Sequence, residues 1–532
     1  MHYHPFKTEY LNPPYDSIVI GSGIGGLACA ALLSKLGKKV LVLERHYVAG
    51  GFTHTFYRKG YEWDVGVHYI GEVQRKDSML RKVFDCITNE KLKWAEMPSV
   101  YDRIVFPDAE YEFVAGTRNF RDKLCSYFPE EHKAIDQYLE LVYSLASSAK
   151  GYFGAKALPP FVSKIASPFL SSKFLKLAQK TTLEVVSSLT QNKKLIGVLT
   201  AQYGDYGLPP AQSSFAIHAM VVKHYLGGAA YPIGGSGKIA EDILPIIQSK
   251  GGDVLVRAEV KEILVKGNKT YGVKMANGEE IEAKQVISDA GFLNTVTKII
   301  PKENIEKTGY YNHLKKVKAS TAHLCIYIGI KESGATLNLP KNNYWIYPGY
   351  DHDENLRAYF ANPEKAPPAV TYISFPSSKD PDWEKRFPGK STIEIIGVAP
   401  YEWFSKWKDT PWNKRGEDYI AFKNKLAEPL FENLYKYLPQ VKGKIEHFEI
   451  SSPLSTQHFC NYDQGEIYGL DHTPERFNAT WLRPHTPLQN FFLTGQDIVS
   501  DGIGGALMAG VLTASAITKK NLMKDILTSN FK

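Results

Sequence analysis

Residues 61–73, YEWDVGVHYIGEV, set a histidine beside a tyrosine, His68 and Tyr69, two positions after Gly66. Imidazole and phenol can each pass a proton to a reacting atom. The pair is therefore a candidate for acid chemistry on a substrate lying against it. The alternating aromatic and small residues equally suit a β-hairpin arm in which His68 and Tyr69 only fill space. A second group, His218, His224 and Tyr225, sits in SFAIHAMVVKHYLGG, where apolar spacing is mixed and a lone histidine more often serves packing. No Ser-His-Asp or Cys-His arrangement accompanies these residues, and no cluster has metal-ligand spacing. The acidic stretch GYDHDENL reads as a solvated loop.

The elements that could position such groups begin at residues 15–45, YDSIVIGSGIGGLACAALLSKLGKKVLVLER. SIVIG is a β-branched run, LACAALLSKLG has helical apolar spacing ending at Gly37, and KKVLVLE is a second buried strand. Gly21, Gly23 and Gly26 form G-x-G-x-x-G at the strand-to-helix junction. That pattern gives a tight turn, lets a pyrophosphate approach the backbone and packs the helix on the sheet. The helix N-terminus adds unpaired amides and positive dipole. Glu44, 18 residues after Gly26, ends the second strand. A carboxylate there suits ribose hydroxyls and disfavours a 2′-phosphate, leaving FAD or NAD.

Two further segments favour FAD. Gly50 and Gly51, in VAGGFTHTF, are a second point of close approach. FFLTGQDIVSDGIGGALMAGVLTASAI reads as strand, Asp497, glycine turn and a helix from about Gly504. Asp497 suits a ribityl or ribose hydroxyl, or a water on the pyrophosphate. The amides of Gly504 and Gly505 suit a flavin carbonyl at a positive helix end.

With 532 residues, two or three substructures are expected. The net charge of +8 comes without dense Lys/Arg runs interleaved with aromatics, which argues against nucleic-acid binding. Five scattered cysteines (Cys29, Cys86, Cys125, Cys325 and Cys460) suggest reduced thiols in a reducing compartment, so a cytoplasmic location is expected. The first residues, MHYHPFKTEYLNPPYD, lack the apolar core of a signal peptide, and no run is long enough to span a bilayer. PIGGSGKI departs from a P-loop, with Pro232 and Ile239 at positions that require glycine and Ser/Thr.

In order along the chain, GSGIGGL, LER followed by AGGFTHTF, YEWDVGVHYIG, YGDYGLPP, HAMVVKHYLGGAAYPIGGSGKIAEDIL, GGDVLVRAEVKEILV and LTGQDIVSDGIGGALMAG together resemble one group of flavoenzymes. These are the FAD-dependent oxidoreductases of the amine oxidase and phytoene desaturase superfamily, with the closest likeness to retinol saturases and prolycopene isomerases. The resemblance implies FAD held by Gly21, Gly23, Gly26, Glu44, Gly51, Val260 and Asp497. Arg45, Gly50, Gly66, Gly504 and Gly505 join them as cofactor contacts, and Val260 meets the adenine. It further implies an apolar polyene or isoprenoid substrate, toward which His68, Tyr69, His218, His224 and Tyr225 are candidate proton donors or orienters. Phe52 is a departure: amine oxidases carry Arg after the paired glycines, and retinol saturases usually Cys.

The expected fold is α/β, with a discontinuous Rossmann-type FAD-binding domain (1–85, 225–295 and 488–532). A helical insertion (86–224) and a mixed-sheet substrate domain (296–487) complete it. The run VLVRAEVKEILV is expected as one strand, followed by a hairpin turning at Asn277-Gly278. Residues 157–194 carry six lysines against one Glu, and Leu170, Phe174 and Leu177 fall on one helical face. This is either a helix packed on its own core or an interfacial helix resting on an anionic membrane. The functions left open are saturation or desaturation of a polyene C=C bond, redox-neutral cis–trans isomerisation with reduced FAD, and lipid binding without turnover. The electron donor or acceptor is not legible.

Overall fold

The structure is a computed structural model that describes residues 3–528 and residue 531. Strand β1 (Tyr15–Ile20), helix α1 (Ile24–Lys35) and strand β2 (Val40–Leu43) form the dinucleotide unit, with β1 parallel to β2. Strand β3 (Asp253–Val256) pairs parallel with β2, and β4 (Glu280–Ser288) pairs parallel with the other side of β1. The short β5 (Phe491–Leu493) pairs parallel with β4. These strands are covered on both faces, which is why they read as continuous apolar runs rather than alternating ones. The sheet is assembled from three separate stretches of sequence.

VLVRAEVKEILV is not one strand. Arg257 takes φ +53° and separates β3 from a second strand, Val260–Lys266, which pairs antiparallel with Lys269–Met275. That strand turns at Asn277 and Gly278 into β4. Helix α1 has eleven of its twelve residues buried, between the sheet and helix α2 (Gly502–Thr518). A Cβ on Gly510 would lie 2.5 Å from the Gly25 carbonyl oxygen and 2.8 Å from Ala28 Cβ, so the two helices meet only because Gly510 has none.

A second sheet has the order Ile445–Ser451, His323–Ile330, Ser391–Val398, Thr371–Ser374, Asn343–Ile346, Val100–Val105, Glu110–Val114. All its pairings are antiparallel except that of Asn343–Ile346 with Val100–Val105. Two of its strands come from 86–224, the stretch expected to be a helical insertion. The edge strand EYEFV alternates buried and less covered residues as a half-covered strand does, whereas VYDRIV, paired on both sides, does not alternate. Most of what remains of that stretch is helical, including His132–Ala157, Pro160–Ala178 and Phe215–Tyr225.

YEWDVGVHYIGEV divides into two parts. Tyr61–Asp64 is the second arm of a hairpin with Thr55–Arg58. Its Tyr61 and Trp63 are buried against Cys325 and Tyr327 of the second sheet, and Trp63 Nε1 donates to the Ile328 carbonyl at 3.0 Å. Burying such a ring contributes about 2–3 kcal/mol, so the hairpin pins the dinucleotide domain to the second sheet. Beyond Asp64 the chain leaves the hairpin and enters a cavity wall.

Leu170, Phe174 and Leu177 do not act as one face. Phe174 is fully buried and stacked on Tyr152 with centroids 4.3 Å apart, Leu177 is partly covered, and Leu170 is exposed. The outward apolar face of Pro160–Ala178 is instead Phe161, Val162, Ile165, Phe169 and Leu170. Among the described residues, no helix is long and apolar enough to cross a membrane.

Candidate active site

A cavity of about 1730 Å³ is lined by the glycine turn, the end of YEWDVGVHYIGEV, helix Phe215–Tyr225, the start of α2 and strands of the second sheet. Small-molecule pockets typically hold roughly 300–1,000 Å³, so this one has room for a dinucleotide and an apolar chain together.

Of the expected cofactor contacts, Gly21, Gly23, Glu44, Arg45, Gly51, Gly66, Val260, Gly504 and Gly505 line the cavity. Gly26, Gly50 and Asp497 do not. Gly26 lies under the turn, where a Cβ would come within 2.7 Å of the Gly21 carbonyl oxygen. Gly50 donates its amide to Ser22 Oγ at 3.0 Å. Asp497 is occupied by the backbone: its carboxylate accepts from Phe292 N at 2.6 Å and Leu470 N at 2.9 Å, tying two loops together. Its position next to a glycine turn suggested a ligand contact; the structure gives it a bracing job.

Glu44 also works on the chain itself. Oε2 accepts from the Ser22 amide at 2.8 Å and the Ser22 hydroxyl at 2.7 Å, and Oε1 accepts from His46 N at 2.7 Å. The arrangement fits a dinucleotide. The amides of Ile24 and Gly25 lead α1 into the cavity without a backbone acceptor, as a pyrophosphate requires. Gly51, at φ +55°, comes so close to Gly23 that a Cβ would sit 2.9 Å from the Gly23 Cα. Asp289, from SDAG, was not anticipated. It lies behind the turn, is pushed up to about 7 mainly by burial, and is drawn the other way by the amides of Gly26 and Gly23.

His68, Tyr69, His224 and Tyr225 line the cavity, whereas His218 does not. His218 is fully buried, with Nε2 2.7 Å from Tyr138 Oη and Nδ1 3.1 Å from Tyr206 Oη, so both ring nitrogens are already engaged. His224 Nε2 accepts from Gly71 N at 2.8 Å and holds the loop in place. Tyr69 stacks on Tyr225 with centroids 4.3 Å apart and donates its hydroxyl to Asp102 Oδ2 at 2.9 Å. His68 differs from all of these. Its Nδ1 lies 3.2 Å from Glu394 Oε2, close but not aligned as a hydrogen bond, and Nε2, with no protein partner and not fully covered, is the ring atom open to the cavity.

Behind His68 is a buried polar network that the sequence reading missed. Lys379 Nζ donates to the His68 carbonyl at 2.9 Å, to Asn343 Oδ1 at 2.5 Å and to Ser374 Oγ at 2.7 Å. Asn343 in turn donates to Asp102 Oδ1 at 3.0 Å. Asp64 accepts from Tyr231 and Ser236, the latter from the stretch rejected as a P-loop. Burial pushes the Glu394 carboxyl up to about 8 and the His68 imidazole down to about 3, with Lys379 adding to the latter. The pair therefore carries a protonated acid and a neutral imidazole at neutral pH. One signal was available: Glu394 is the lone carboxylate in the apolar strand STIEIIGV.

The comparisons agree with this geometry. Residues 24–292 match the family model described as flavin containing amine oxidoreductase. The chain is 38% identical to an all-trans-retinol 13,14-reductase of Danio rerio, over 97% of this chain and 88% of that protein. It is 37% identical to the Homo sapiens protein of that name, over 98% and 88%. A chloroplastic prolycopene isomerase 1 from an Oncidium hybrid cultivar is 25% identical, over 96% and 86%. Among solved structures, cyclohexylamine oxidase from Brevibacterium oxydans superposes with a TM-score of 0.59 at 15% identity, covering 98% of this chain and 100% of that one. An oxidoreductase from Methanosarcina mazei gives 0.60 at 15%, covering 95% and 100%; both likenesses bear on fold alone. The chain belongs to the flavin-containing amine oxidoreductase family, in the branch of the all-trans-retinol 13,14-reductases, and is an FAD-dependent oxidoreductase.

Proposed function

We propose that the chain saturates one C=C bond of a retinol-like polyene alcohol, the reaction its relatives are named for. The observation that carries this reading is His68, the one candidate imidazole with a ring nitrogen open to the cavity and a carboxyl behind it. A bound flavin supplies a hydride at N5. The adjacent carbon then needs a proton, which His68 Nε2–H is placed to give. As that proton leaves, the Glu394 hydroxyl hands its own to Nδ1, so the ring stays neutral and the charge ends on Glu394. Lys379, whose ammonium is lowered to about 7 by burial, faces that carboxyl and offsets the charge below that pH. The aromatic wall of Tyr69, Tyr225, Trp345 and Tyr372 keeps water from the reacting bond.

Anaerobic, photoreduced enzyme incubated with all-trans-retinol should yield a product heavier by two hydrogens. His68→Ala should keep its yellow flavin while losing roughly 10²–10⁴-fold in rate, the usual contribution of a positioned acid. Unchanged mass with altered retention would favour isomerisation instead, and unaltered substrate would favour binding without turnover.

The substrate's insolubility in water calls for a route from lipid. Phe169 and Phe161 are 83% and 76% exposed on Pro160–Ala178, with Lys164, Lys173 and Lys176 also exposed on that helix. Ala157, Leu158 and Pro159, just before it, line the cavity. This apolar face is proposed to rest in a membrane surface, with its lysines against anionic headgroups.

A further inference from the structure

Asp205 closes a short 3-10 turn, Ala201–Asp205, and lines the cavity. Among the described residues no donor reaches either carboxyl oxygen, and Oδ2 is buried without a partner. The part of Asp205 that is not covered by protein faces the cavity, because every group around it lies deep. Trp345 and Tyr372 pack against each other with centroids 4.4 Å apart; the Trp345 ring abuts Gly204, and Tyr372 meets the edge of the His68 ring at 5.1 Å. Trp345 Nε1 and His323 Nδ1 are also buried without a protein partner, and both residues line the same cavity through their rings. Buried polar groups left unpaired are costly, and Asp205 Oδ1, which has no protein partner and is not fully covered, is the polar atom that this otherwise aromatic wall offers to a ligand.

We propose that this wall is an end-group subsite, in which Asp205 anchors a terminal hydroxyl of the polyene. The inference rests on the polyene reading above and specifies which end of the chain is bound. Burial, with Asp102 and Asp501 nearby, pushes the Asp205 carboxyl well above the usual range, so it is a neutral acid that can both donate to and accept from a hydroxyl. A carboxylate end group would place a negative charge in a buried site whose own acids already resist ionising, and is disfavoured. The contiguity of Asp205, Trp345, Tyr372 and His68 sets the bound end group beside the proton donor, which selects a double bond near the hydroxyl end.

The test compares all-trans-retinol, its analogue with hydrogen in place of the hydroxyl, and all-trans-retinoate. Binding is read from perturbation of the flavin spectrum, separately from turnover. The parent should bind the alcohol about ten- to hundredfold tighter than either other compound, the value of a buried hydrogen bond. Asp205→Leu should erase that preference while keeping affinity for the hydrocarbon analogue and the flavin. Asp205→Asn, which still bonds a hydroxyl, should stay within about threefold of the parent in binding and turnover. Equal affinity of the parent for alcohol and hydrocarbon overturns the subsite but leaves the polyene reading standing. No binding of any polyene overturns both. Asp205→Asn that binds retinol normally but has lost turnover overturns the anchor role in favour of proton donation by Asp205.

Discussion

Glu394 reaches both ends of the turn that carries His68: Oε1 accepts from the Asp64 amide at 3.0 Å, and Oε2 lies 3.2 Å from His68 Nδ1. One carboxyl thus fixes where the loop leaves the hairpin and lies beside the imidazole four residues later. The groups around it are Asp64, His68 and Lys379, with Tyr231, Tyr327 and Cys325 also within its field.

A pH dependence follows from this carboxyl. Burial raises Glu394 from 4.5 to about 8, so the acid form that refills His68 is present below that pH and is lost above it. Single-turnover reduction of the polyene should be fastest near pH 6, decline as Lys379, lowered to about 7 by burial, loses its proton, and fall roughly tenfold per unit beyond pH 8. Glu394→Gln should be slower and lack that falling limb while retaining flavin; an unchanged limb in this variant would remove Glu394 from the relay. The stability effect has a definite sign. The folded chain holds the proton and the unfolded chain releases it above about 4.5, so stability falls as pH rises from about 4.5 through about 8. Glu394→Gln should lose less stability than the parent across that interval.

Removal of Glu44 should be felt at the cofactor. Its carboxylate satisfies the Ser22 amide, the Ser22 hydroxyl and the His46 amide, and Ser22 in turn receives Gly50 N. Glu44→Ala leaves these donors unpaired at about 1–3 kcal/mol for a buried one and frees both glycine turns at once. Gel filtration should strip FAD from the variant but not from the parent, with affinity reduced at least about tenfold.

Gly51→Ala tests the cradle by shape alone. The position takes φ +55°, which costs a non-glycine residue about 1–2 kcal/mol. The added methyl would also press on Gly23 Cα at 2.9 Å, and backbone there cannot swing aside. The variant should fold, with a lower unfolding midpoint and weaker flavin retention. Wild-type retention would mean that the two turns are not held together at this point.

What was legible in the sequence followed the range of the interaction. The glycine turn, Glu44 and the apolar strands are local patterns, and each formed as a unit. Arg257 broke an apolar run through a backbone angle that side-chain periodicity does not encode. Asp497 looked like a ligand contact because glycines surround it, yet its amide partners, Phe292 and Leu470, are 205 and 27 residues away. Glu394 and His68 are brought together only by the docking of Tyr61 and Trp63 on the second sheet. That docking depends on tertiary packing, so His68 could be nominated from sequence but its carboxyl partner could not.

The outward face of Pro160–Ala178 yields a last prediction. Phe161, Ile165 and Phe169 repeat at four-residue spacing and are 76%, 60% and 83% exposed, more apolar surface than a helix normally leaves in water. Inserting three such side chains into lipid contributes about 1.5–3 kcal/mol each, and the exposed lysines add attraction to anionic headgroups. The parent should co-sediment with vesicles containing phosphatidylserine, and more weakly as salt rises. Phe161→Asp combined with Phe169→Asp should lower partitioning by at least about a hundredfold, because the double change removes apolar area and adds two repelled charges. Neither residue lines the cavity, so turnover of retinol delivered in detergent should be unaffected, while turnover from vesicles should fall in step with binding. Loss of both activities would point to damage to the fold. Retention of both would mean that the polyene enters elsewhere.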